Sequence, residues 1–140
     1  MLILASSSKA RKKLLDQIGL SHEVVVSDYD ETNVPEMDPC LKVKFLAKEK
    51  ANNVFGKLID EKGNQTFKAI NALIGCDSLF EFKGEIFGKP LNKDQLITRW
   101  KMLSGEIGFL HTGHYLISIK DSKDGSKNFS VNEIFQGVVS

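Results

Sequence analysis

The sequence has no long apolar run and almost no excess of charge of either sign. None of its apolar stretches approaches the roughly 18 residues that a transmembrane helix requires. The chain carries 19 basic and 18 acidic side chains, so its net charge is only +1. This balance argues against a broad nucleic-acid or membrane surface, although it allows a local basic pocket. We therefore expect neither nucleic acid nor a membrane as a partner.

Cysteine is also scarce. Cys40 and Cys76 are the only two thiols, and their spacing is not that of a metal site. The first residues place apolar side chains before basic ones, which is the reverse of the order in a secretory signal. Because disulfides mark oxidising compartments, we interpret both cysteines as reduced and expect a cytoplasmic protein.

The sequence alternates between strand patterns and helix patterns. Its 140 residues are enough to form one globular core. We expect a single α/β domain spanning residues 1–140. The predicted helices run from Ser7 or Ser8 to about Ile18, from Asp38-Pro39 to about Leu58, and from Asn92 to Ser104-Gly105. The predicted strands are Leu2–Ala5, Glu23–Ser27, Ala69–Cys76, a hairpin of Leu79–Phe82 and Glu85–Phe87 around Lys83-Gly84, and late strands at Gly113–Lys120 and Asn128–Val139.

The junction between the first strand and the first helix is rich in serine and basic residues. Lys9, Arg11, Lys12 and Lys13 follow Ser6-Ser7-Ser8, although acidic residues would suit the positive end of a helix better. A bound phosphate would reverse that preference, because serine hydroxyls and unpaired N–H groups suit an anion. The alternative is a serine cap followed by a solvated basic face.

The apolar stripe of the second helix contains a lysine. Lys50 lies one turn from both Leu46 and Val54, so it must either extend to solvent or meet an anion. Lys89, held between Gly88 and Pro90, is a weaker signal and favours a solvated turn.

Acidic residues follow two predicted strands. Asp28, Asp30 and Glu31 come after the second strand, and Asp77 comes directly after the third. In open α/β sheets, ligands bind beyond the carboxyl ends of strands. Two converging carboxylates beside phosphate-binding cations would suit a magnesium–triphosphate site. The alternative is an acidic loop and a turn cap. His111 and His114 would point to opposite faces of a strand, which disfavours a shared metal.

These stretches together resemble the Maf-like protein family. The opening from Leu2 to Leu15 resembles the family's strand, S-x-S-P-R-R and Leu-Leu helix. The later matches are Asp28–Thr32 with D-x-D-E-[ST], Leu46–Ala51 with L-A-x-x-K-A, Gly75–Ser78 with G-x-D-[TS], Gly84–Pro90 with G-x-I-x-G-K-P, and Leu103–Gly105 followed by Thr112-Gly113 with L-S-G…T-G.

The resemblance implies an α/β fold with a mixed, twisted sheet, flanking helices and a central cleft, as in Maf proteins and inosine triphosphate pyrophosphatases. It implies hydrolysis of a nucleoside triphosphate, pyrimidine or modified, to the monophosphate and pyrophosphate. It implies Asp77 as the proton acceptor, with Glu31 helping to hold a divalent cation, Mg²⁺ or alternatively Mn²⁺. It also implies phosphate binding by Ser6, Ser8, Arg11, Lys50 and Lys89, and substrate specificity at Ala10 and Ser78.

The sequence departs from the family pattern in three places. Lys9-Ala10 replaces the family's Pro-Arg, Gly108 stands where a histidine is common, and no segment resembles the family's Gly-rich closing part. We therefore expect a domain that lacks the family's C-terminal segment. This predicts either a homodimer through Asn128–Val139 or a shortened product with reduced stability and weak base selectivity. The alternative function is a catalytically weak or inactive nucleotide-binding regulator related to cell division.

Overall fold

The computed structural model describes residues 1–60, 70–119 and 131–139, with the backbone alone for Asp60 and the last range. Two predicted features therefore lie outside the described residues. These are the loop at residues 60–68, except for Asp60, and the turn-rich stretch at residues 121–127. Residues 128–130, the start of the last predicted strand, also lie outside them. In chain order the elements are β1 (Leu2–Ala5), α1 (Lys9–Gln17), β2 (His22–Val24), α2 (Pro39–Asp60), β3 (Ala72–Phe82), β4 (Glu85–Phe87), α3 (Lys93–Leu103), β5 (Phe109–Ile119) and β6 (Val131–Val139).

The strands of the described part of the chain form one six-stranded sheet in the order β2-β1-β3-β5-β6, with β4 paired to β3. β1 runs parallel to both β2 and β3. β5 runs antiparallel to β3, and β6 antiparallel to β5. This arrangement confirms the predicted mixed sheet with flanking helices.

The core lies between α2 and one face of the sheet. The predicted apolar stripe of α2 is buried at Val43, Leu46, Ala47, Ala51 and Val54. It packs against β3 and β5, where Leu73, Tyr115 and Ile117 are buried. Asp38 caps the helix as predicted, because its carboxylate accepts the backbone N–H of Cys40 at 3.0 Å. The orientation of α2 and its distance from the centre of the sheet are therefore fixed.

Two glycines let α2 approach the sheet closely. A Cβ on Gly75 of β3 would overlap the carbonyl oxygen of Ala47, and a Cβ on Gly113 of β5 would overlap the backbone of Val43. Both collisions are with helix backbone, which cannot move aside as a flexible side chain would. The sequence therefore needs glycine at these two positions to seat the helix.

The bounds of three predicted strands were wrong. β5 begins at Phe109 and not at Gly113. β2 ends at Val24, so Val25, Val26 and Ser27 are not in a strand, and Glu31 does not follow directly on a strand end. β3 does not stop at Cys76 but continues without interruption to Phe82. The continuous pairing of Asp77 with Gly113 and Ser78 with Thr112 explains the difference. A long antiparallel partner keeps the chain extended beyond the point where local signals predicted an end.

The helix caps were predicted more accurately than the helix faces. Ser8 and Asn92 cap α1 and α3 as predicted, and Lys83-Gly84 forms the turn between β3 and β4, both with positive φ. Apolar residues recur at helical spacing in both helices, which predicts one apolar stripe on α1 (Ala10, Leu14, Leu15 and Ile18) and one on α3 (Leu96, Ile97, Trp100 and Leu103). Nevertheless, neither helix has a buried residue. Leu14 is 60% exposed, Ile18 72% and Trp100 69%.

Across residues 1–60, 70–119 and 131–139, no helix is both long and apolar enough to cross a membrane.

Candidate active site

The predicted site residues lie around a single cleft of about 1160 Å³. It opens where α1 begins, between the loop after β2, the middle of β3 and the segment after β4. All of the predicted site residues line it: Ser6, Ser8, Ala10, Arg11, Glu31, Lys50, Asp77, Ser78 and Lys89. Tertiary folding therefore brings together residues that are up to 83 positions apart in the sequence, from Ser6 to Lys89.

Serines line the cleft at the start of α1. The Ser6 hydroxyl accepts the backbone N–H of Ser8 at 3.2 Å, and the Ser8 hydroxyl accepts that of Arg11 at 3.4 Å. The first turn of α1 carries no acidic residue. The positive end of this helix therefore faces the cleft without a protein carboxylate in its first turn to neutralise it.

Arg11 spans the cleft and is held by neutral groups. Its Nη1 donates to the Ser6 hydroxyl at 2.9 Å and to the Cys76 carbonyl at 3.4 Å. Its Nη2 donates to the Ser78 hydroxyl at 2.8 Å, and that hydroxyl also contacts Thr112 Oγ1 at 2.9 Å. The guanidinium is thus fixed in orientation while its positive charge remains available to an anion.

Lys50 differs from Arg11, because its partners are charged. Its Nζ lies 2.6 Å from Asp77 Oδ1 and 2.8 Å from Glu31 Oε1. The sequence left open whether this lysine extends to solvent or meets an anion. The structure shows that it meets two carboxylates of the protein itself. Burial acts to lower the pKa of Lys50, but the hydrogen bonds to Asp77 and Glu31 outweigh it and raise that pKa above its ordinary value.

Asp77 is the more buried of the two carboxylates. Its side chain is 13% exposed, compared with 49% for Glu31. Burial raises the pKa of Asp77 above its ordinary value, and the hydrogen bond from Lys50 only partly opposes this. A carboxyl group with a raised pKa inside a cleft is a candidate for proton transfer.

Glu31 is presented by a loop that is attached to α2. Asp30 Oδ1 accepts the backbone N–H of Thr32 at 2.9 Å, which forms a tight turn next to Glu31. The same loop is tied to the helix by an ion pair of 2.9 Å between Asp28 and Lys57. Asp28 and Asp30 therefore shape the loop and do not line the cleft, whereas Glu31 does.

Asp77 reaches the cleft in a way that the sequence did not predict. It lies within β3 and not beyond its end, paired across the sheet with Gly113. The expectation that it sits at the carboxyl end of a strand was therefore wrong. Alternation along β3 places its side chain on the same face as Gly75, the face that α2 covers, and there it reaches the cleft beside Lys50 of α2.

Some cleft residues had no role assigned from the sequence. Tyr29, Thr112 and His114 all line the cleft. Thr112 belongs to the Thr-Gly motif, which was a usable signal. Tyr29 occupies the variable position of the motif at Asp28–Thr32, and His114 was considered only as a metal ligand together with His111. His111 points to the opposite face of β5, where its ring contacts Glu81 and Cys40. Among the side chains in the described ranges, no group of three or more His, Cys, Asp or Glu is arranged to hold a metal ion.

Comparison with known proteins identifies the family. The family model described as Maf-like protein matches residues 1–136. This chain belongs to the Maf-like protein family. Membership agrees with the observed fold, a mixed sheet flanked by helices.

Similar curated proteins carry the name nucleoside triphosphate pyrophosphatase. The whole chain is 61% identical to the one from Prochlorococcus marinus strain NATL1A and 59% identical to that of strain NATL2A. A protein of the same name from Synechococcus sp. strain CC9311 is 44% identical over 84% of the chain. The chain spans 65% of the length of the two Prochlorococcus proteins and 58% of the Synechococcus protein.

Proposed function

We propose that this Maf-like chain hydrolyses nucleoside triphosphates to the monophosphate and pyrophosphate, the activity for which its relatives are named. The observation that carries the proposal is the position of Lys50 between Glu31 and Asp77, in the same cleft as Arg11. Two carboxylates and two cations within one cleft provide both a proton acceptor and partners for a polyphosphate.

Phosphate binding is assigned to the serine-rich start of α1 and to the cations around it. Ser6 and Ser8 offer hydroxyl groups beside the helix N-terminus. Arg11 offers a guanidinium that is bonded only to neutral acceptors among its described contacts. Lys89 lines the cleft from the segment after β4 and is exposed, so it can reach a ligand. These groups would hold the triphosphate across the cleft from Asp77.

The carboxylates fit a divalent cation. Glu31 and Asp77 both lie within 2.8 Å of Lys50 Nζ, and we propose that a divalent cation can take this position between the two carboxylates. Carboxylate oxygens combined with substrate phosphates are the donor set that Mg²⁺ prefers, and Mn²⁺ accepts similar donors. When bound by Glu31 and Asp77, the ion would supply charge neutralisation for the polyphosphate. Lys50 would then be released to pair with a phosphate oxygen.

Asp77 is proposed as the proton acceptor. A water molecule beside its carboxylate would attack the α-phosphorus and give its proton to Asp77. The bond from the α-phosphorus to the bridging oxygen would break, and pyrophosphate would leave with that oxygen. The position of Asp77 suits this role, because its carboxylate lines the cleft beside Lys50 and Glu31.

The base of the nucleotide would lie against the apolar part of the cleft. Leu14, Leu15 and Tyr29 line this part, and Ala10 and Ser78 stand at its border with the phosphate-binding groups. We assign substrate specificity to Ala10 and Ser78. Because the small Ala10 stands where the family has an arginine, neither of the family's usual base preferences transfers, and we propose pyrimidine or modified nucleotides from the family resemblance alone.

The cellular setting is inferred from composition and sheet topology. The net charge of +1 supports a protein without a nucleic-acid partner, and we infer a cytoplasmic location. β6 (Val131–Val139) lies at an edge of the sheet in the described part of the chain, and an open sheet edge supports the homodimer predicted through Asn128–Val139. Light scattering during gel filtration tests this last point, and a monomer at micromolar concentration would contradict it.

A screen for pyrophosphate release tests the activity. The 140-residue chain is assayed with pyrimidine, purine and modified triphosphates, with Mg²⁺ and then with EDTA. We expect release that requires the metal and stops with Asp77→Asn. Asp94→Asn, an exposed carboxylate at the start of α3, is the matched control. Nucleotide binding without turnover, seen as a thermal shift, would instead favour the regulatory alternative.

A further inference from the structure

A second group of reactive side chains lies outside the cleft, where the start of α2 meets β3 and β5. Cys40 Sγ lies 3.4 Å from His111 Nδ1, and His111 Nε2 lies 2.8 Å from Glu81 Oε2. None of the three lines the candidate active site. The thiol, the imidazole and the carboxylate are therefore connected in a row, in the order that a thiol nucleophile requires.

The fold fixes this row through three separate elements. Glu81 and His111 are diagonal neighbours on the paired strands β3 and β5, because His111 pairs with Leu79 and Glu81 with Phe109. Cys40 is brought to them by α2, whose backbone at Val43 touches Gly113 on the same strand as His111. The close packing of α2 on the sheet thus also places the thiol of Cys40 against the imidazole of His111.

Glu81 determines which ring nitrogen of His111 carries the proton. An ionised carboxylate only accepts hydrogen bonds, so the Nε2 nitrogen facing Glu81 must be the donor. In the neutral ring, Nδ1 is then the acceptor, and it faces Sγ of Cys40. The carboxylate also stabilises the imidazolium that forms once Nδ1 has taken the thiol proton.

The start of α2 does not supply this activation. The Asp38 carboxylate already accepts the backbone N–H of Cys40 at 3.0 Å, so the helix N-terminus is capped by an anion of the protein. The imidazole of His111 is therefore the group that can take the thiol proton. Cys76 offers a comparison within the same chain, because it is only 5% exposed whereas Cys40 is partly exposed.

We propose that Cys40, His111 and Glu81 form a modification site at which Cys40 reacts with small hydroperoxides. Cys40 passes its proton to Nδ1 of His111, and the sulfur attacks the distal oxygen of the hydroperoxide. The S–O bond forms as the O–O bond breaks, and the imidazolium returns the proton to the leaving alkoxide or hydroxide. The sulfur is oxidised by two electrons to sulfenic acid, and the peroxide is reduced to an alcohol or to water.

Alkylation measures the activation of the thiol directly. The 140-residue chain is treated with iodoacetamide at neutral pH together with glutathione, and modification of each cysteine is followed by peptide mass spectrometry. We expect Cys40 to react about tenfold faster than glutathione, because Nδ1 of His111 lies 3.4 Å from Sγ and can take the thiol proton as the sulfur attacks. In His111→Gln the rate should fall to that of glutathione or below, and in Glu81→Gln it should fall several-fold. Glu85→Gln, an exposed carboxylate on β4, should change nothing.

Oxidation measures the proposed reaction itself. Hydrogen peroxide is added with dimedone, which traps sulfenic acid, and we expect the adduct on Cys40 and not on Cys76. Melting curves show which variants are folded, and if His111→Gln does not fold, the Glu81→Gln variant decides, because Glu81 is 28% exposed. A rate for Cys40 equal to that of glutathione, or an unchanged rate in folded Glu81→Gln, would overturn the proposal and leave a purely structural His–Glu pair.

Discussion

Nη2 of Arg11, on α1, donates a hydrogen bond of 2.8 Å to the hydroxyl of Ser78, on β3. This bond crosses the candidate active site and joins two segments that the sequence separates by 67 positions. Because the other described hydrogen bonds of the guanidinium also go to neutral groups, the orientation of Arg11 is fixed without loss of its charge. Arg11 is therefore preorganised to bind an anion, whereas Lys50 is already paired with two carboxylates.

Replacing Arg11 with lysine tests whether the fixed orientation of the guanidinium contributes to triphosphate binding. A lysine cannot reproduce the planar fork that reaches Ser6, Cys76 and Ser78 together. Since a hydrogen bond to a charged group contributes about 1.5–3 kcal/mol, we expect Arg11→Lys to raise the Kd for a triphosphate by roughly 10- to 100-fold. Lys12→Met is the control, because Lys12 pairs with Asp16 on the exposed side of α1. Titration calorimetry with inactive protein measures both, and equal affinities for the two variants would contradict the assignment.

The Asp77→Asn substitution tests the proton acceptor. It preserves size and shape but removes the ability to take a proton, so we expect turnover to fall by about two to four orders of magnitude. Nucleotide binding should survive, because the phosphate-binding groups are unchanged. Pyrophosphate release and a binding titration are measured on the same preparation. Near-normal turnover would show that Asp77 is not the base.

The Lys50→Met substitution tests the ion pairs in the cleft. It would leave the carboxylates of Asp77 and Glu31 close together without the cation between them. Removing one partner of a buried pair is destabilising, and with Lys50 and Glu31 partly exposed we expect a loss of about 1–3 kcal/mol in the free energy of unfolding. Asp77→Asn in the Lys50→Met background should recover part of that loss, because the buried charge is removed. Urea denaturation of the wild type, both single variants and the double variant measures the coupling, and simple additivity would mean that the pair contributes nothing.

Gly75→Ala tests the seating of α2. Its Cβ would overlap the Ala47 carbonyl and also contact Ala51, so the helix must shift away from β3. Overpacking of this kind costs about 1–3 kcal/mol. Gly56→Ala is the matched control, since its Cβ would meet nothing within 4 Å and alanine favours a helix by up to about 1 kcal/mol. Thermal melts should therefore move in opposite directions for the two variants, and the same direction for both would contradict the packing argument.

Local chemistry was enough to predict much of the fold. The helix caps Ser8, Asp38 and Asn92 act through contacts within a few residues. The turn at Lys83-Gly84 was predictable because Gly84 readily adopts the positive φ that the turn requires. The stripe of α2 was predicted because a helix that packs on a sheet repeats its apolar residues at a fixed spacing. The family motifs likewise named the residues that line the cleft, since each motif is a short continuous stretch.

Other features depend on partners that are distant in the sequence. No local signal shows that β3 continues to Phe82, because its pairing with β5 keeps it extended. No local signal shows that the stripes of α1 and α3 are exposed in this fold, because a periodic pattern marks a face without identifying what covers it.

The sequence by itself determined the helix caps, the buried face of α2 and the residue types at the cleft, because these depend on neighbouring residues. Only the tertiary structure decided that Lys50 pairs with Glu31 and Asp77, that Arg11 is held by neutral groups, and that Cys40 meets His111. Hydrogen bonds and ion pairs act over about 3 Å. Whether two distant side chains come that close is therefore decided by the packing of α2 against the sheet.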